Sequence, residues 1–164
     1  MNARALRGLC PVPALVLLGC VGTGPNLEGL GHSPQAERAK ALDPAFATPP
    51  PDAERFASGV AKTTLRPGTG TLMPDPGSLV RVEFEGFRAN GTLFDSSKRK
   101  GKPQIFELSE TVRGLSEALT HMVEGEVARF WIPGHLAYGD KPEDPRLPAG
   151  PLVFELELLK IVRR

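Results

Sequence analysis

Cysteine is almost missing from this 164-residue chain: the two present, Cys10 and Cys20, both fall in the first twenty residues. Nothing beyond Cys20 can be stapled by an internal disulfide, and no Cys/His spacing of a zinc site occurs. Histidine is also sparse; His32, His121 and His135 stand far apart and read as surface residues rather than ligands. Excess charge is lacking too. The formal net charge is +1, which leaves no electrostatic footprint for a nucleic-acid binder. The basic run Lys98-Arg99-Lys100-Gly101-Lys102 is the exception; it reads as a solvated loop, with a contact to anionic lipid or an acidic client as the alternative. Long apolar runs are absent. The stretch from Leu9 to Leu18 is broken by Pro11 and Pro13, and a membrane-spanning helix needs ~20 apolar residues. What is present is 40% hydrophobic and 24% charged residues, the balance of an ordinary globular domain.

That N-terminus reads as an address. Arg4 and Arg7 form a positive start, and Leu9–Leu18 a short apolar core. Paired prolines argue against a buried helix there. The segment ends Leu17-Leu18-Gly19-Cys20, which resembles a bacterial lipobox. The resemblance implies a lipoprotein signal peptide over residues 1–19, with Cys20 lipidated and first in the mature chain. One acyl chain anchors marginally and two or more hold firmly, so a multiply acylated Cys20 implies a stable tie to the membrane. Val21 in place of an aspartate favours the outer membrane, facing the periplasm. Residues 20–57 then read as a tether, rich in glycine and proline and ending in Pro49-Pro50-Pro51 before the domain. Such a stretch buries too little to offset its ordering entropy, and a triple proline favours extended polyproline II geometry. A short, proline-rich tether with no long helix implies a monomer.

Residues 58–164 carry the periodicity of a folded domain. Gly59–Arg66 reads as a strand stopped by Pro67-Gly68. Leu79–Arg88 alternates, with Val80, Val82 and Phe84 on one face. Asn90-Gly91 is a tight-turn signal, and the chain returns through Leu93-Phe94. Gln104–Leu108 and Val127–Ile132 are further strands. Leu152–Val162 is the longest, with Leu152, Phe154, Leu156 and Leu158 on one side. Leu115, Ala118, Leu119 and Met122 fall at i, i+3, i+4 and i+7, the single apolar stripe of one helix, with Gly125 as its terminator. Many strands and one short helix predict an α+β fold, a curved antiparallel sheet wrapped over that helix.

Four motifs stand in order along this domain: Gly91-Thr92-Leu93-Phe94-Asp95-Ser96-Ser97; Val112-Arg113-Gly114-Leu115; Trp131-Ile132-Pro133 leading into Leu136-Ala137-Tyr138-Gly139; and Leu152-Val153-Phe154-Glu155-Leu156. Together they resemble the FKBP-type peptidyl-prolyl cis/trans isomerases. The resemblance implies the same sheet-over-helix fold and catalysis of rotation about X–Pro bonds, whose barrier of ~20 kcal/mol reflects lost amide resonance. Such a site must desolvate the imide and favour its twisted state; it needs no cofactor and no metal. By motif, Phe94 and Phe154 wall the pocket with Phe106 beneath. Asp95 lies at its edge, near the carbonyl that rotates. Tyr138 aims its hydroxyl at a substrate carbonyl, the Val112 backbone N–H receives another, and Leu147 overhangs from a loop. The implied partners are proline-containing client polypeptides of the cell envelope.

The chain departs from the family at three places. Phe84 stands where many members have a tyrosine that bonds the carboxylate, Leu115 where many have a tryptophan floor, and Gln104 where many have a rim aromatic. At ~25 cal/mol per Å² of lost apolar contact, the change at Leu115 alone weakens ligand binding by about 1–2 kcal/mol. These losses keep an alternative open: a client- or partner-binding module of the same fold with little or no isomerase activity.

Overall fold

The computed structural model describes residues 46–163. The signal and tether readings over residues 1–45, Cys20 among them, lie outside the described residues. Seven strands form one antiparallel sheet: β1 (Glu54–Arg55), β2 (Ala61–Arg66), β3 (Leu79–Arg88), β4 (Leu93–Ser96), β5 (Gln104–Glu107), β6 (Val127–Ile132) and β7 (Leu152–Arg163). The order across the sheet is β1-β2-β6-β7-β3-β4. β3 pairs along its length with β7; its other edge is shared, β5 taking Leu79–Val82 and β4 taking Glu85–Phe87. Between these two partners the buried Ser97 closes the gap. Its N–H donates to Phe84 O at 3.0 Å, and its Oγ accepts from Phe84 N–H at 3.0 Å. The chain therefore swells outward over 97–102 at the edge of the sheet, beside Phe84.

One helix, α1 (Arg113–Thr120), crosses the inner face. The predicted stripe is its buried side: Leu115, Ala118 and Leu119 are buried, as is Met122 just beyond. It ends at Thr120, before the expected stop at Gly125; Thr120 Oγ1 turns back to donate to Glu117 O at 2.7 Å. Gly114 allows the helix to start tight against the sheet. A Cβ there would collide with Ile132 Cγ2 and lie 3.1 Å from Leu136 O. Inner-face residues of β3, β6 and β7 (Val82, Phe84, Phe130, Ile132, Phe154, Leu156) pack with the helix into one core.

The outer face carries a second core, and here the sequence boundary is corrected. The tether reading extends to residue 57, but Phe46 and Ala53 are buried with Ala61, Phe87, Leu93, Trp131 and Val153. Trp131 Nε1 donates to Phe46 O at 3.3 Å, and the Phe46 ring meets Phe87 edge-on at 4.9 Å. The Arg129 guanidinium stacks 4.7 Å from the Phe46 ring while bonded to Glu155. β1 pairs Glu54 with Lys62. The folded unit thus includes the strap 46–57, because aromatic burial on the outer face offsets the order that the prolines alone could not justify.

Candidate active site

β3, β4 and β7 meet where Gly86 faces Phe154 on one side and Asp95 on the other. Gly86 has no side chain, and that decides the geometry. A Cβ there would stand 2.8 Å from Phe94 Cζ and 3.0 Å from Phe154 Cε1. The two rings use the space to meet edge-to-face, with centroids 5.8 Å apart at 88°. Such a pair contributes about 0.5–1.5 kcal/mol beyond its burial. Phe84 lies two residues along the same face of β3, tilted against Phe106 at 5.5 Å. Leu115 from the first turn of α1 is buried in the same cluster, and Phe94, Phe106, Val112 and Tyr138 pack against it half-buried. Of the apolar residues predicted for the pocket, Leu147 stays outside this group. It is 36% exposed, in a turn closed by its N–H to Asp144 O.

Three polar groups edge the aromatic wall. Both oxygens of Asp95 are held: Oδ1 accepts the Ser96 N–H at 2.8 Å, and Oδ2 accepts Lys100 Nζ at 2.8 Å. The Lys100 ammonium also sits 5.2 Å from the centre of the Phe84 ring. Tyr138 follows the 3-10 turn Gly134–Leu136, whose first residue accepts the N–H groups of Ala137 and Gly139. Burial pushes its phenol above the ordinary value; the Asp95 charge pushes the same way and Lys100 opposes it. Val112 caps α1 with its carbonyl, which accepts from Leu115 and Ser116. Among the described residues no acceptor takes its own N–H.

A half-dry aromatic wall, a fixed carboxylate, a phenol and a free backbone donor can bind a ring and the carbonyls beside it. The family model for FKBP-type peptidyl-prolyl cis-trans isomerase matches residues 70–159. The chain belongs to this family. It is 38% identical over 112 residues to the macrophage infectivity potentiator of Trypanosoma cruzi, covering 68% of this chain and 57% of that one. It is 34% identical over 133 residues to the outer membrane protein MIP of Legionella longbeachae, covering 77% and 56%. The chain thus spans little more than half the length of these two relatives. A solved peptidyl-prolyl cis-trans isomerase of Pseudomonas syringae superposes with a TM-score of 0.63 at 34% identity, covering 77% of this chain and 91% of that one.

Two residues at this wall were missed by sequence reasoning. Gly86 had a signal, a glycine inside an otherwise apolar strand. Lys100 had none, since a lysine within a basic run reads as solvated. Gln104 turns its amide away from the wall, donating to Lys102 O and Pro103 O.

Proposed function

We propose that this FKBP-family domain is a peptidyl-prolyl cis/trans isomerase acting on client polypeptides in a bacterial cell envelope. The observation that carries the reading is the Phe94–Phe154 edge-to-face pair, opened by Gly86 and edged by Asp95 and Tyr138. The client proline ring lies against Phe94 and Phe154, above Leu115, where water is excluded. The unpaired Val112 N–H holds the carbonyl following proline, and the Tyr138 hydroxyl donates to a second. Phe106 lines the wall beneath, and Phe84 closes it beside β3. Asp95 faces the carbonyl that rotates. With the imide desolvated, its planar resonance form loses solvent support and the twisted form is favoured. Leu147, in its exposed turn, reaches only a long client.

The envelope placement rests on the lipobox-like Leu17-Leu18-Gly19-Cys20 and on the outer-membrane name of the Legionella relative. Cys20 carries the lipid, and the protein is a monomer facing the periplasm. Sedimentation of the soluble form as a tight dimer would reject that last point.

The test is nuclear magnetic resonance of a Leu-Pro peptide with added protein. Exchange between its cis and trans signals should quicken in proportion to protein, and Phe94→Ala should remove the effect. Binding without quickened exchange would favour a client-holding module, a reading that Leu115 and the turned-away Gln104 support.

A further inference from the structure

The loop between β4 and β5 places a charge at the rim that the isomerase reading does not use. Lys98, Lys100 and Lys102 lie in one basic run, yet they point to different partners. Lys98 Nζ reaches Glu85 at 3.6 Å, whereas Lys100 Nζ reaches Asp95 at 2.8 Å. The loop is folded for this. Lys100 N–H donates to Ser96 O, Gly101 N–H to Lys98 O and Lys102 N–H to Ser97 O. These bonds bring Lys100 back over the Phe84 ring. Phe84 has no hydroxyl to offer the carboxylate, so the Oδ2 oxygen of Asp95 is held by an ammonium instead.

We propose that Lys100 is a specificity residue, whose charge at the rim admits client prolines flanked by Asp or Glu. This rests on the pocket assigned under Proposed function. The physical reason is charge balance at a partly open mouth. Asp95 alone would repel an acidic neighbour of the proline; paired with Lys100 it presents a near-neutral rim with the ammonium accessible. The two side chains are 38% and 43% exposed, so water screens the pair. The effect is therefore a preference among clients, roughly two- to five-fold, rather than a requirement. Stability changes little, so the variants will fold.

The experiment compares the full chain with Lys100→Met and Lys100→Arg on tetrapeptides carrying Glu, Leu or Lys before proline. Lys100→Met should lower kcat/KM for the Glu peptide several-fold more than for the Leu peptide and spare the Lys peptide. Lys100→Arg should restore the Glu peptide. A second readout is free of substrate: Tyr138 is the only tyrosine, so ultraviolet titration follows it alone. Lys100→Met should move its titration to higher pH, since the opposing ammonium is gone, and Lys100→Arg should move it back. Equal losses on all three peptides with an unmoved titration would overturn the proposal and leave Lys100 a mere loop brace. If the unaltered protein turns over no peptide, the isomerase reading fails, and peptide dissociation constants take the place of rates. The same Glu-over-Leu ranking in binding would then sustain the role of Lys100, and its absence would end it.

Discussion

At the scale of single residues, the site depends on one side chain that is missing and one that is half-buried. Gly86→Ala puts a methyl group into the space between Phe94 and Phe154. The backbone is sheet on both sides, so the rings must give way. Overpacking of this kind costs about 1–3 kcal/mol, read as a lower urea midpoint, and the activity should fall further than the stability. Tyr138 is the second case. Its phenol is raised first by burial and then by Asp95, so the folded state holds this proton more tightly than the unfolded chain. The sign follows: the contribution is intact below the ordinary phenol value of ~10 and is lost as pH climbs through the raised one. Titration of this sole tyrosine should therefore lie above that of free tyrosine, and Asp95→Asn should bring it down. The aromatic and polar residues that the fold brings together at this wall stand in the sequence as motifs; Lys100 does not, because its partner is set by a loop whose path no spacing encodes.

At the scale of elements, alternation and turn chemistry located most of the sheet. β3 and β6 match their sequence-read spans, since Val80, Val82 and Phe84 alternate and Pro133 ends β6. The Asn90-Gly91 turn forms: Asn90 Oδ1 accepts from Thr92 N–H, and Gly91 takes φ +79°. The strap 46–57 was not legible. Its prolines and glycine-rich approach mimic a linker, and the aromatic that docks it, Phe46, is a single residue with no period. Its partners Phe87, Trp131 and Val153 occupy the face that alternation assigns to solvent. Phe46→Ala should cost about 3–5 kcal/mol in chemical denaturation, as for other large buried aromatics. The emission of Trp131, the only tryptophan, should shift to the red as its indole loses cover. An unchanged midpoint and spectrum would mean that the strap does not hold the domain.

At the scale of the whole molecule, the two faces of the sheet divide the work. The inner face packs α1 and carries the aromatic wall; the outer face receives the strap through which the N-terminal segment is joined. Proline isomerisation unaided takes tens of seconds or longer and limits folding, which is the step the proposed isomerase would speed. The fold class was legible because four motifs and one helical stripe agree on it; the extent of the folded unit was not, because it rests on tertiary burial. The central claim is catalysis at the Phe94–Phe154 wall. The measurement that tests it most directly is the cis-to-trans rate of an Ala-Leu-Pro-Phe peptide, with residues 21–164 added at rising concentration. A rate that climbs linearly with protein, falls near background with Phe94→Ala and drops markedly with Asp95→Ala is the result predicted. A rate that stays at background for the unaltered protein, or that survives Phe94→Ala unchanged, would contradict it.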